Sequence, residues 1–508
     1  MPTEPLMTPP LLPLFVLGLL VPAMLWLELK AAPAQSRASQ WPLAVWWLHL
    51  GVFCLGFALL LLVVQRPWFA GLLLLAGGLV LMLVNNAKHH SLREPFLFHD
   101  FSYFTAAIRY PRLYLPFLGL GRAILAVLVG GLVFAAGVWL EPAMDKALLW
   151  SALFGVVGVM SLGLIWHWQP ALALEPAVDV KNLGLWGAWW AYWRRSGQIP
   201  PLQQHHGADG IVSALRKKEI LPDLLVVQSE SFFDPRTEYP YINSEILAEF
   251  DQISDVARYS GKLRVPAWGA NTVRAECAFL TGIPPESWDV HQFNPYRILP
   301  RVSVMGLAKL LNSCGYHTVC VHPYEAGFYQ RDGVMRQLGF ERFVDISDFS
   351  KEDYCGQYVG DKAVTERVTR LLRERVDPST PLFVFVITME NHGPLHLDRP
   401  DDLDEQALYD VSAAPDWREL SSYLYHLHHA DEMIVRLKDA LSIQERPGVL
   451  AWYGDHVPII PDFYQRYGAP RGDTNYFVWA SNAESPFETR DVAVHDLHAL
   501  VLKTVLLS

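Results

Sequence analysis

The chain has 508 residues, 51% of them hydrophobic and 18% charged, with a formal net charge of −11. This length exceeds what one ordinary core organises, and the acidic balance gives no support to nucleic-acid binding, which relies on a basic stripe. Charge is unevenly spread: residues 1–170 hold nine Lys/Arg against six Asp/Glu, a local +3, which leaves −14 for the remainder.

Five apolar runs open the chain, near 10–28, 42–64, 68–85, 123–140 and 147–166. Each reaches about 18 residues, enough to cross a bilayer core as a helix. A soluble bundle would carry more charges inside runs of this length, and Arg122 stands at a span's edge. Trp41, Trp46, Trp47, Trp68, Trp166 and Trp168 fall near the ends, where an indole keeps its ring apolar and its N–H near water. No Lys or Arg precedes the first run, and it is longer than a signal-peptide core, so it is expected to stay uncut despite Ala32-Pro33-Ala34. Loop charges do not support a cytoplasmic N-terminus. That orientation leaves Arg66 and Lys146 inside and Lys88, Arg93, Arg109 and Arg112 outside.

Between the third and fourth runs, Asn85 to Arg112 mixes Lys88, His89 and His90 with Phe96, Phe98, Phe101, Tyr103 and Phe104, a composition suited equally to a headgroup-level segment and to a solvated loop. After the last run, Trp186, Trp189, Trp190, Tyr192 and Trp193 precede two arginines, as in an interfacial helix. The expected division is therefore a five-helix transmembrane domain over 1–168, a Trp-rich linker over 169–220, and a soluble α/β domain over 221–508. In the last part β-rich runs (Leu224 to Gln228, Thr318 to Val321, Leu382 to Thr388, Val449 to Tyr453, Tyr476 to Ala480) alternate with helical patterns (Val304 to Asn312, Asp361 to Arg375, Leu420 to Leu441). That alternation predicts a mainly parallel sheet with crossover helices. The five cysteines, Cys54, Cys277, Cys314, Cys320 and Cys355, form no C-x-x-C and read as packing residues.

Chemistry is expected at the carboxyl ends of parallel strands. Val449 to Tyr453 ends in Gly454-Asp455-His456, and Leu224 to Gln228 runs through Ser229 into Glu230. Two carboxylates and an imidazole suit Mn²⁺, Mg²⁺ or Zn²⁺ rather than a thiophilic metal. Thr272 follows a Gly-containing turn and precedes a helical segment whose free N–H groups favour a phosphoryl group. A divalent cation would favour its alkoxide as nucleophile. The bland alternatives are a turn Asp-His pair, an N-cap Thr and a helix-face Glu276.

In order and approximate spacing, Glu230, Thr272 and Gly454-Asp455-His456 resemble the lipoteichoic acid synthase and phosphoglycerol transferase family of the alkaline phosphatase superfamily. The resemblance implies a sulfatase-like catalytic domain in which Glu230, Thr272, Asp455 and His456 hold one catalytic metal, usually manganese, with Mg²⁺ or Zn²⁺ as alternatives. It assigns the phosphoglycerol group to His322, Tyr329 and Arg331, with Tyr329 where the synthases carry Trp, and it brings His392 of Glu390-Asn391-His392-Gly393-Pro394 to the phosphoryl oxygen or leaving group. The residues around Thr272 look closer to proteobacterial relatives that decorate glucans. The implied reaction moves phosphoglycerol from phosphatidylglycerol to a glycan, an osmoregulated periplasmic glucan among the candidates, at the outer face of the cytoplasmic membrane. Phosphoethanolamine transfer, phosphodiester hydrolysis and a non-catalytic sensor stay open. A sulfatase is disfavoured because Cys277-Ala278-Phe279-Leu280-Thr281 lacks the Arg of a formylglycine motif.

Overall fold

The computed structural model describes residues 10–34, 36–102, 120–202, 207–375, 377–398, 400, 403–482 and 487–508. Of the headgroup-segment residues, Tyr103, Phe104, Arg109 and Arg112 lie outside this set. The chain divides into two compact units, 1–198 and 199–508.

The first unit contains α1 (Leu12–Glu28), α2 (Leu43–Val64), α3 (Pro67–Leu92), α4 (Leu120–Leu140), α5 (Ala147–Leu164) and α6 (Pro176–Ser196). All five expected runs are helical. Among the described residues, α2, α3 and α5 are long and apolar enough to cross a membrane. At 17 residues α1 falls just short of that length. The Trp-rich stretch is α6, and it belongs to this unit: Trp189 and Trp190 are buried, and the Trp189 indole N–H donates to the Phe96 carbonyl at 2.6 Å. Lys88 is drawn into the same unit by Glu94 (2.7 Å) and Asp100 (2.5 Å). A buried polar centre also lies here. Glu28 pairs with His49 and accepts the Trp186 backbone N–H at 3.1 Å, while Trp41 stacks on the His49 ring. Gly184, at φ +68°, makes room for it, since a Cβ there would lie 2.7 Å from Glu28 Oε1.

The second unit is built on a nine-stranded sheet. Its strands are β1 (Asp223–Ser229), β2 (Tyr259–Arg264), β3 (His317–Val321), β4 (Arg342–Val344), β7 (Leu382–Ile387), β8 (Gly448–Gly454), β9 (Thr474–Ala480), β10 (Glu488–Thr489) and β11 (Val492–Ala493), while β5 (Tyr354–Cys355) and β6 (Tyr358–Val359) form a separate hairpin. The spatial order is β10-β2-β9-β8-β1-β7-β3-β4, with β11 also on β2. Neighbours from β8 through β4 are parallel, and β9 is antiparallel to both β8 and β2. Strands β1, β7 and β8 are buried along their whole length, which is why they read as continuous apolar runs. One sheet face packs on α7 (Thr272–Thr281), α8 (Arg331–Leu338) and α11 (Val494–Leu507), the other on α9 (Asp361–Arg373) and α10 (Arg418–Ser442). In α10 the buried positions Leu420, Tyr423, Leu424, Leu427, Ala430 and Ile434 recur at helical spacing.

Candidate active site

Strands β1 and β8 are parallel neighbours in register, with Gln228 beside Tyr453 and Ser229 beside Gly454. The residues that follow, Glu230 and Asp455, therefore leave the sheet side by side. Gly454 is required here by close approach: a Cβ would lie 1.7 Å from the Phe232 carbonyl oxygen. Beyond β1 in the other direction come β7 and then β3, so the loops carrying His392 and His322 leave the same edge.

Glu230, Asp455 and His456 are all buried, and each offers a ligand atom within 4.8 Å of the others. His456 Nε2 lies 3.5 Å from Glu230 Oε1 and 3.3 Å from Asp455 Oδ2. Its Nδ1 lies 3.1 Å from the Val457 carbonyl, an arrangement that places the proton on Nδ1 and turns the Nε2 lone pair toward the carboxylates. A cation held between this nitrogen and the two carboxylates would satisfy all three groups at once. Asp455 Oδ2, buried and without a hydrogen-bond partner, carries the same message. Burial, reinforced by the Asp455 charge, pushes the Glu230 carboxyl up to about 8. The donor set thus fits a hard or borderline divalent cation.

Ser231, which sequence reasoning passed over, braces the three residues. Held at φ +54°, it donates its backbone N–H to Asp455 Oδ1 (2.9 Å) and its hydroxyl to Glu230 Oε1 (2.9 Å), while the Tyr423 hydroxyl donates to its carbonyl (2.9 Å). Asn271, Tyr329 and Gln330 also have positive φ. Such conformations cost energy and cluster at functional sites.

Thr272 is the first residue of α7, half-buried, with Asn271 in the capping position and making no side-chain cap. Its hydroxyl makes no hydrogen bond among the described residues, and the N-cap position falls on its neighbour. Glu276, one turn on, is no surface acid. It is fully buried and takes Arg331 through Nη2 at 2.9 Å and Nε at 3.2 Å, and it accepts the Tyr296 hydroxyl. Burial opposes the charge on Arg331, but Glu276 outweighs it and holds the guanidinium pKa above its ordinary value. Arg331 Nη1 lies 3.2 Å from His322 Nε2, and its Cζ lies 5.3 Å from the Tyr329 ring centroid. His322 Nδ1 faces the Ile387 carbonyl at 3.2 Å, so both ring nitrogens are engaged. Burial and then the Arg331 charge hold His322 well below the usual imidazole range. The structure therefore joins His322, Tyr329 and Arg331 as one group, with Glu276 and Tyr296 as unforeseen members. A lone Glu in a helical run gives no sequence signal for such a partner.

His392 donates Nδ1–H to the Gly393 carbonyl at 2.7 Å, which leaves Nε2 as an acceptor, and burial lowers its pKa. The Tyr358 ring packs edge-on against it at 5.2 Å. Beside it, Asn391 is buried with both carboxamide atoms unpartnered.

Residues 222–506, more than half of the chain, match the Sulfatase family. The chain belongs to that family. Residues 222–506 form a sulfatase-family domain preceded by apolar helices, and part of the chain is similar to lipoteichoic acid synthase 1 of Bacillus subtilis (strain 168), 26% identical over 32% of this chain and 24% of that relative. Along most of its length this family member is similar to a capsular polysaccharide biosynthesis protein, RkpI, of Rhizobium meliloti (strain 1021), with 27% identity over 90% of this chain and 86% of the relative. A putative cyclic beta-1,2-glucan modification protein of the same organism is 27% identical over 50% of this chain, which spans 38% of that relative. Among solved structures, the Streptococcus pyogenes phosphoglycerol transferase GacH in complex with sn-glycerol-1-phosphate shares the fold, with a TM-score of 0.50 and 21% identity over 60% of this chain and 83% of the other.

Proposed function

We propose that this sulfatase-family protein transfers phosphoglycerol from phosphatidylglycerol to a periplasmic or cell-surface glycan through a phosphoglyceryl-threonine intermediate at Thr272. The observation that carries the reading is the convergence of Glu230, Asp455 and His456 at the ends of adjacent strands, with an unengaged hydroxyl, Thr272, opening a helix of the same unit. The names of the relatives, which speak of capsular polysaccharide, cyclic glucan and phosphoglycerol transfer, favour a glycan acceptor and a phosphoglycerol donor over the alternatives.

Glu230, Asp455 and His456 would hold one divalent metal, Mn²⁺ in the first place, with Thr272 beside them. When bound, that ion supplies charge neutralisation for the phosphoryl group and for the nucleophile. The remaining work falls to the chain. The Thr272 oxygen gives up its proton to solvent and attacks phosphorus, and the bond to the diacylglycerol oxygen breaks in line with it, that oxygen taking a proton delivered through His392 Nε2. An acceptor hydroxyl then gives its proton to the same nitrogen and displaces Thr272, which recovers its own. His392 suits both directions because burial keeps it neutral at pH 7. Arg331, locked by Glu276, and His322, locked by Arg331, form a rigid wall for the glyceryl phosphate, with Tyr329 against the guanidinium. Five membrane-spanning helices over 1–168 of a cytoplasmic-membrane protein, with the catalytic unit outside, would bring this site to the donor lipid.

The test is donor cleavage by the purified full-length chain with Mn²⁺. Wild type should release diacylglycerol from phosphatidylglycerol and gain the mass of one phosphoglyceryl group on Thr272. Thr272→Ala should do neither while still binding metal. Release at the wild-type rate by Thr272→Ala would refute the covalent route, and preferential use of phosphatidylethanolamine would reassign the donor.

A further inference from the structure

The loop carrying His392 also carries Glu390, and Glu390 meets three more ligand-type side chains that the proposed reaction does not use. Cys355 sits on hairpin strand β5, and His426 and His429 stand three residues apart on α10. The four donor atoms lie within 4.8 Å of one another. His426 Nδ1 is 2.8 Å and His429 Nδ1 2.6 Å from Glu390 Oε1, and Cys355 Sγ is 3.9 Å from His429 Nδ1. Cys355 is therefore not the packing residue that sequence reading made it.

Four further features are those of a built site. His426 Nε2 lies 2.7 Å from Asp398 Oδ2, a carboxylate that fixes the proton on Nε2 and frees Nδ1 for a ligand, the outer-shell arrangement of metal-bound histidines. Gly356, at φ +64°, admits that carboxylate, because a Cβ there would lie 2.3 Å from Asp398 Oδ2. Gly360 clears the other side, where a Cβ would lie 3.0 Å from Cys355 Cβ and 3.4 Å from Glu390 Oε2. Next to it Asp361 donates its backbone N–H to Glu390 Oε2 at 2.5 Å, and its own buried Oδ1 has no partner. A metal-free network would put two imidazole N–H donors on one carboxylate oxygen and leave the thiol at 3.9 Å from His429 Nδ1.

We propose that Cys355, Glu390, His426 and His429 form a second metal site, separate from the Glu230 centre, that takes Zn²⁺ or a similarly thiophilic divalent ion. One sulfur, two imidazole nitrogens and one carboxylate oxygen make a complete tetrahedral set. The thiolate disfavours Mg²⁺ and Mn²⁺, so the two sites differ in chemical taste. With every position filled by protein the ion is structural. It ties the hairpin and α10 to the loop that presents His392.

Full-length protein stripped with chelator and titrated with Co²⁺ tests this by a signal independent of activity. Wild type and Asp455→Asn should both develop the near-ultraviolet thiolate-to-cobalt charge-transfer band, and Cys355→Ser should lack it. Elemental analysis after Zn²⁺ loading should find one more zinc per chain in wild type than in Cys355→Ser or in the half-exposed His429→Gln. Absence of the band in wild type, or its persistence in Cys355→Ser, overturns the site. Loss of the band in a folded Asp455→Asn would mean that the two centres are not separate.

Discussion

Glu230 shows how burial becomes a measurable property. In metal-free protein its folded pKa of about 8 lies above its ordinary 4.5, so between those values the folded state holds the extra proton. Stability should therefore fall as pH rises from about 4.5 to about 8 and level off above. Denaturant titrations of chelated protein across that window should show the slope, Glu230→Gln should flatten it, and Mn²⁺ should restore stability at the alkaline end by replacing the proton. Gly454 makes a harsher prediction. With a backbone carbonyl 1.7 Å from any added Cβ, Gly454→Ala should cost at least about 3 kcal/mol or prevent folding, read by urea denaturation.

Two helices of the site are joined by one ion pair. Helix α7 begins at Thr272, and one turn later Glu276 reaches Arg331, the first residue of α8. Glu276→Gln strands a buried guanidinium and should destabilise the protein by about 3–5 kcal/mol, whereas Glu276→Gln with Arg331→Met should recover part of that loss without recovering transfer. Denaturation and donor cleavage on the same variants separate the two effects. The elements around this pair were unequally legible. Strands β1, β3, β7, β8 and β9 follow the apolar runs to within a residue or two, and α9 and α10 likewise, because both faces of those strands and one face of those helices are buried. Strand β2, Tyr-Ser-Gly-Lys-Leu-Arg, escaped because half-covered residues leave it polar, and the short hairpin β5–β6 has no periodicity to read. Glu230 and Asp455-His456 could be singled out as candidates because each follows such a strand, and Thr272 because it opens a helix. Glu276, Ser231 and the Cys355 cluster could not, since their meaning lies in partners from distant parts of the chain. The His-x-x-His spacing of His426 and His429 was the one local hint.

At the scale of the molecule, residues 199–508 contain the whole sheet, both metal-ligand clusters and the Arg331 group. Produced alone, this unit should melt cooperatively and bind Mn²⁺, and it should cleave a water-soluble glycerophosphodiester while losing most turnover on phosphatidylglycerol in vesicles. Calorimetry and the two assays check this, and equal turnover on vesicles would deprive 1–198 of a role in reaching the donor. Residues 1–198 contain more than apolar helices, for the buried Glu28–His49 pair under Trp41 is an ionisable centre among them, where such groups carry a high cost.

The hydrogen bond from Ser231 to Asp455 joins residues 224 positions apart. A centre made this way cannot exist in a growing chain that has not yet reached His456, nor in a collapsed state whose first and eighth strands have not yet found each other. Ion capture at this centre would thus be a late event in the life of each molecule, and a one-residue slip between those strands would point a carboxylate the wrong way and forfeit it. Uptake of the proposed cation would in effect be an inspection of the finished sheet, and the rate at which refolding protein acquires it should follow the slowest step of assembly.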